Sequence, residues 1–532
     1  MSDADVPSDG STTENATEGH GGDFAVAVAQ THGVQTLFTL SGAHVFPMYD
    51  GAVRADPPMR ILDVRHEATA VFAAEATGKL TRVPGLAVLT AGPGVTNGVS
   101  AIAQARFSGS PLVVIGGRAP TTRWGMGSLQ ELDHPPLVAP ITKLAATVAT
   151  VDAIPAMVDS AFTMAAAPHR GPVFLDVPMD QLFSRATLTA PAAPRRLRLE
   201  PDPDALSGIA ELLRAARHPV LVLGKDVWAD GAEVAALRFV EETGIPVVTN
   251  GMGRGIVPRG HPQFSGKAPG ARAQVVHLTD SPDLVARHVT LEGSAAGDLS
   301  LVLDGLLSAV QAMTTRPDWT HWIETLRTEV AAAAARDTVC MASDADPIHP
   351  ARVYGELLPR LADDSVVIGD GGDFVSFAGK YVEPARPGGW LDPGPYGCLG
   401  AGLGAAIAAR IARPSSQVVV LLGDGAAGMS LMDVDTLVRH DLPVVLVLGN
   451  NSGWGLEKHP MRFLYGYDVA AELAPGTAYD GVVRALGGAG ETVSDPSRIG
   501  EALDRAFDSG VPYLVNMLTD PETAYPRSTT GV

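Results

Sequence analysis

The stretch LLGDGAAGMSLMDVDTLVRHDLPVVLVLGNNSGWG, residues 421–455, decides how the rest of the chain is read. An apolar run at 418–422 has the character of a strand buried on both faces, and it stops at Gly423-Asp424-Gly425. A helical segment follows, then a second apolar run at 444–448 that ends at Asn450-Asn451. A strand–helix–strand crossover makes the two strands parallel and sets their C-terminal ends side by side. Asp424 and Asn451, 27 residues apart, are thereby expected to reach one ion. Two oxygen-bearing side chains and a backbone carbonyl suit Mg²⁺, an oxygen-seeking cation that commonly bridges to phosphates. The amides after Gly425 open a helix, whose N-terminus attracts anions. Together these describe a diphosphate held through a magnesium ion.

Working outward, apolar strands alternate with helical segments along the whole chain, the pattern of α/β domains with parallel sheets. A polar, acidic tail at 1–22 lacks the basic and apolar regions of a signal peptide and reads as disordered. A first α/β block covers 23–185, with TLFTL, LAVLTAG, LVVIGG and VFLDVP as strands. The Pro- and Arg-rich interval 186–204 is expected to be a linker. A second block at 205–335 carries PVLVLG, PVVTNG and VVHLTD; a third at 345–532 carries VVIGD, the quoted core and YLVNML. The first and third blocks look like similar units flanking a middle one.

With 532 residues, two to four domains are expected, and 46% hydrophobic against 18% charged residues describes a well-packed globular protein. A formal charge of −20 argues against nucleic acid or anionic membrane as partners, and no apolar run is long enough to span a bilayer. Only Cys340 and Cys398 occur, which speaks against a disulfide framework and for a cytoplasmic location.

The spacing of GDG and NN resembles the diphosphate-binding motif of thiamine-diphosphate (ThDP) enzymes. Arg65-His66-Glu67-Ala68-Thr69-Ala70, followed by VFAAEATGKL, resembles the RHE-x-x-A-x-x-A-A-E-x-x-x-K pattern of the acetolactate-synthase-like and 2-hydroxyacyl-CoA-lyase-like branch of that family. The resemblance covers roughly residues 25–525 and implies three doubly wound parallel-sheet α/β domains: pyrimidine-binding, a shortened middle domain and diphosphate-binding. It implies ThDP and Mg²⁺ as cofactors, with Asp424, Asn451 and the Gly453 carbonyl as metal ligands and Gly423, Gly425 and Ala426 around the diphosphate. It also gives Glu67 the bond to N1′ of the aminopyrimidine, where a carboxylate that shares a proton favours the reactive imino form. His66 reads as an orienting residue.

Further motifs follow the same resemblance. Gly42, in SGAHVFP, lies beside the aminopyrimidine. His44, in that loop, is either a proton relay or a solvent-facing histidine. Pro93 and Asn97 belong to an AGPG-x-x-N wall, and Gln130, in GSLQE, is positioned to bond substrate, with Leu129 in place of the usual Phe. Leu399, in PYGCLGAGL, takes the position of the wedge that bends the cofactor. Asp370-Gly371-Gly372-Asp373 sits at a further strand end, and Trp454, Leu456, Glu457 and His459 are expected on the substrate side.

The middle block departs from the family. Lys267-Ala268-Pro269-Gly270-Ala271-Arg272 runs almost directly into the next strand, so about two dozen residues of the usual nucleotide-binding region are missing. That, with no long extension past Val532, argues against FAD and CoA thioesters. The expected activity is decarboxylation of a 2-oxo acid with transfer of the acyl unit to a second carbonyl, by a homodimer or homotetramer. The alternatives are a 2-hydroxyacyl-CoA lyase or oxalyl-CoA-decarboxylase-like enzyme and, in another class, a non-catalytic partner of an active paralogue.

Overall fold

Long apolar runs flanked by glycines build two six-stranded sheets, because a parallel strand covered by helices on both faces has no polar side to alternate. The structure is a computed structural model that describes residues 17–189, 198–266, 273–314 and 318–526.

In the N-terminal domain β1 (Thr17–His20) precedes β2 (Thr36–Thr39), β3 (Arg60–Asp63), β4 (Gly85–Leu89), β5 (Leu112–Arg118), β6 (Leu144–Thr147), β7 (Pro172–Pro178) and β8 (Arg185–Leu188). The main sheet runs β3-β2-β4-β5-β7-β6, all parallel. β1 and β8 form a separate antiparallel pair. Residues 17–22 therefore do not belong to a disordered tail. β1 pairs with β8, and the first helix starts at Gly21, capped by His20 and Asp23 in a reciprocal pair of hydrogen bonds. The rest of that tail, 1–16, lies outside the described residues. β8 likewise takes the start of the expected linker, whose residues 190–197 are also outside the described set.

The middle domain contains β9 (Leu221–Leu223), β10 (Val247–Thr249), β11 (Val275–Thr279) and β12 (Leu291–Ala296). Instead of one narrowed doubly wound sheet they form two separate parallel pairs, β10-β9 and β11-β12. Strands as short as three residues, joined by a curtailed connection, leave β10 and β11 without a ladder between them. The run 267–272 that carries the departure from the family lies outside the described residues. The helix Thr320–Met341 then leads past the expected domain end into the last domain.

There β13 (Val366–Asp370), β14 (Trp390–Leu391), β15 (Val418–Gly423), β16 (Val445–Asn450), β17 (Ala489–Val493) and β18 (Tyr513–Leu518) run in the order β14-β13-β15-β16-β18-β17, all parallel. The strand sequence repeats that of the N-terminal sheet position for position. In each sheet the order reverses beside the first strand, between β2 and β4 and between β13 and β15, and again at the far edge, where β7 precedes β6 and β18 precedes β17. Such a reversal opens a crevice at the strands' C-terminal ends, where α/β sheets bind ligands.

The outer domains share a core. The helix Glu67–Thr81 crosses the helix Gly402–Ala412 where Gly404 lacks a side chain, and a Cβ there would lie 2.7 Å from Phe72 Cβ and 3.0 Å from the Thr69 carbonyl oxygen. Among the described residues no helix is long and apolar enough to cross a membrane.

Candidate active site

The candidate motifs lie beyond the C-terminal ends of strands of the two six-stranded sheets. In the C-terminal domain β15 and β16 pair Gly423 with Gly449, so their ends stay level. Asp424 opens the helix Asp424–Ser430 and is buried, 2% exposed. Its Oδ1 accepts from the Gly425 amide (2.9 Å), and its Oδ2 accepts from the Gly453 amide beyond β16 (3.2 Å). Burial pushes this carboxyl up to about 6, while the amides of Gly425, Gly453 and Ser452 pull it back. No cationic side chain pairs with it among the described residues. A buried acid held only by amides is a donor set that fits a divalent cation.

The two asparagines divide their work. Asn450 is buried and consumed by structure: its Nδ2 donates to the Thr477 carbonyl (3.2 Å) and to Asn516 Oδ1 (3.1 Å), and its Oδ1 accepts from the Ser452 amide (3.2 Å). Asn451, past the strand end, makes no such bonds among the described residues. Ser452, with φ +57°, turns the chain so that the Gly453 amide meets Asp424. Gly423 and Ala426 flank the same helix start. Gly425 has to be glycine, because a Cβ would sit 2.5 Å from the Trp454 ring. Trp454 covers the GDG turn, and Leu456 packs on Gly372. Lys458 is buried and pairs with Glu472 at 2.9 Å, Glu457 is exposed, and His459 is half-buried.

Asp370, at the end of β13, accepts from the amides of Gly400 (2.9 Å, Oδ1) and Gly402 (2.8 Å, Oδ2). It pins the loop that carries Leu399, which is half-buried between Gly397 and Gly400, both at positive φ. Asp373 receives the Tyr525 amide at 3.1 Å. These two acids build the crevice walls.

In the N-terminal domain Glu67 is the first residue of the helix Glu67–Thr81 and only 6% exposed. His66 caps that helix, its Nδ1 accepting from the Ala68 amide at 3.1 Å, which is an orienting role. Asn97 Nδ2 donates to Glu67 Oε2 (2.9 Å), and Oε1 has no hydrogen bond among the described residues. Sequence reasoning missed Asp433, 1% exposed. Its oxygens accept from the Arg65 amide (2.8 Å), Thr69 Oγ1 (2.6 Å) and Thr436 Oγ1 (3.0 Å), clamping both flanks of Glu67 onto the last domain. Nothing marks it out among the acids of LMDVD.

Across the β2/β4 crevice, His44 is buried and its Nδ1 lies 3.1 Å from Thr90 Oγ1. Burial lowers its basicity, against a hydrogen bond to the Leu129 carbonyl that raises it and the nearby His134 that lowers it further. The solvent-facing alternative for His44 is therefore set aside. Gly42 abuts Thr90, where a Cβ would lie 2.2 Å from Thr90 Cβ. Pro93 starts the short helix Pro93–Asn97. Gln130, at φ +60°, packs its Cβ on Gly92, while Leu129 is 80% exposed. Elsewhere a cleft of about 530 Å³ lies where the three domains meet, and its cations Lys79, Arg82, Arg170 and Lys225 are already paired with acids.

The geometry agrees with comparisons to known proteins. Models of the thiamine pyrophosphate enzyme family match residues 19–137 (N-terminal TPP binding domain), 206–305 (central domain) and 370–517 (C-terminal TPP binding domain). The chain is 47% identical to the acetolactate synthase large subunit of Mycobacterium tuberculosis and to a probable acetolactate synthase of Mycobacterium bovis, over 96% of this chain and 97% of each relative. It is 30% identical to human 2-hydroxyacyl-CoA lyase 2, over 95% of this chain and 91% of that protein. Family models that match all three domains, and relatives matched over nearly their whole length, lead to one conclusion: the chain belongs to the thiamine pyrophosphate enzyme family and is a ThDP-dependent enzyme.

Proposed function

We propose that this enzyme decarboxylates a 2-oxo acid and joins the remaining acyl unit to a second carbonyl, as an acetolactate-synthase-like carboligase. The observation that carries the reading is the buried Glu67, one oxygen fixed by Asn97 and the other left to hold a proton. Bound ThDP supplies an electron sink that lets a carbonyl carbon act as a nucleophile. The chain's part is to hold and orient. Asp424, Asn451 and the Gly453 carbonyl hold Mg²⁺, with Gly423, Gly425 and Ala426 beside the diphosphate. Glu67 exchanges its proton at Oε1, because Asn97 ties down Oε2. Leu399 would pack against the bound cofactor, and Gly42, Pro93 and Asn97 would wall its pyrimidine side. His44, neutral near pH 7 through burial, and Gln130 face the small-molecule substrate.

The assembly we propose is a homodimer or homotetramer, in which Glu67 of one protomer serves the diphosphate site of another. Two free cysteines, both half-buried, support a cytoplasmic location. The proposed reaction uses neither FAD nor a CoA thioester.

The test is incubation with ThDP, Mg²⁺ and ¹³C-pyruvate, followed by NMR. Acetolactate, acetoin or acetaldehyde is the expected product set. Unchanged pyruvate without ThDP binding rejects the reading. Unchanged pyruvate with cleavage of a 2-hydroxyacyl-CoA transfers the chain to its second group of relatives.

A further inference from the structure

His134 is 0% exposed, and no motif drew attention to it. Its Nε2 lies 2.9 Å from the Gly92 amide nitrogen, and its Nδ1 lies 3.0 Å from Asp176 Oδ1, itself 0% exposed. A backbone N–H can only donate, so Nε2 must be the bare, accepting nitrogen. The proton then sits on Nδ1, which donates to Asp176 Oδ1. Asp176 is held in turn by Arg118, which also binds Asp133 and lies over the Trp124 ring. The imidazole is thus locked in one neutral tautomer between a fixed acid and one amide.

That amide is at a sensitive place. Gly92 adopts φ +59° and turns the chain from β4 into the helix Pro93–Asn97. On its outer side a Cβ would meet Gln130 at 2.9 Å, so turn and Gln130 are in direct contact. On its inner side the helix ends at Asn97, which holds Glu67. The other amides of this turn bond within it: Gly94 to the Ala91 carbonyl (3.3 Å) and Thr96 to the Gly92 carbonyl (3.1 Å). Gly92 N–H is the anchor of this turn to the rest of the domain.

We propose that His134 is a positioning residue, which through the Gly92 amide sets Asn97 on Glu67 and Gln130 on the substrate wall together. The assignment rests on the reading of these residues as cofactor- and substrate-facing.

The test compares His134→Gln with His134→Asn in the holoenzyme. A Gln amide oxygen reaches the position of Nε2 and can accept from Gly92; an Asn side chain stops near Nδ1 and cannot. Losing one buried bond should raise amide exchange over residues 90–97 about tenfold in H134N, with slow exchange restored in H134Q. With pyruvate, kcat should fall by a similar factor in H134N and largely recover in H134Q, with the melting temperatures of the two variants close together. A shift of products from carboligation toward simple decarboxylation should accompany the loss, because Gln130 moves with the turn. Equal exchange over 90–97 in the two variants overturns the proposal. So does unfolding of H134N, or a loss of kcat that only tracks melting temperature, since either makes the residue a structural one. Amide exchange needs no turnover and decides the matter even if pyruvate proves not to be a substrate, so the two readings fail separately.

Discussion

At the scale of single residues, the site turns on which polar atoms are already spoken for. Glu67 Oε2 is taken by Asn97 and Oε1 is not, so Glu67→Gln should lower kcat by at least about a hundredfold. Calorimetry should show ThDP affinity largely kept; a partner protein without activity would show no kinetic change at all. Asn450 and Asn451 make the sharper contrast. Asn451→Ala should weaken Mg²⁺-dependent ThDP binding and leave the melting curve nearly unchanged. Asn450→Ala should do the reverse, costing about 1–3 kcal/mol because it orphans Ser452 and Asn516, as urea unfolding would measure. The NN motif at the end of an apolar strand was legible in the sequence, and the strand-end spacing pointed to Asn451; that Asn450 is absorbed by structure was not legible. The physical reason, that the first is absorbed by β18, depends on a strand 66 residues away. Asp433 and His134 were illegible for a similar reason. Each acts through backbone amides of distant segments, and a backbone amide leaves no mark in a sequence.

At the scale of elements, strand ends were read well because buried parallel strands are apolar until they emerge. β18 occupies the YLVNML stretch in full, and β15 and β16 end at the glycines and asparagines that stop the apolar runs. β1 was missed because TEGH has no apolar pattern; a polar edge pair is held by its ladder and not by burial. Two clamps between elements give predictions. Asp433→Ala should leave the Arg65 amide and Thr69 hydroxyl unpaired, lowering stability by about 2–3 kcal/mol and kcat as well, since both flank Glu67. Asp370 is fully buried, and burial raises its carboxyl to about 6 despite two amide donors. Folding raises this acid, so its contribution to stability is complete below about pH 4 and is lost as pH climbs through about 6, a swing of about 3 kcal/mol. Asp370→Asn should abolish that swing. The check is the wild-type-minus-variant difference in unfolding free energy between about pH 4 and about pH 7.5, which should fall by about 2–3 kcal/mol as the pH rises.

For the whole molecule, the matching strand orders of the two outer sheets make the chain a pair of like units with a reduced insert between them. The alternation of strands and helices announced that plan; the splitting of the middle domain into two strand pairs was only half visible, as a shortening. Large apolar side chains stand exposed on the isolated chain, among them Leu129 at 80%, Met126 at 70% and Phe463 at 78%. Surfaces of this kind mark association. Light scattering should return two or four times the 55.1 kDa chain mass, and dilution to monomer should abolish turnover.

The crossing at Gly404 has a consequence for how such an enzyme changes over time. Glycine and alanine have no rotamers, so backbone meeting backbone there acts as a fixed gauge between the Glu67 end of one helix and the Leu399 loop that leads into the other. Side chains on the rims, such as Leu129 and Leu456, can be exchanged without disturbing that gauge. A lineage can therefore drift in what it accepts while the packing of its two outer domains stands still. Proteins named for acetolactate synthesis and for 2-hydroxyacyl-CoA cleavage both align with this one chain over nearly its full length, as variations cast from a single mould.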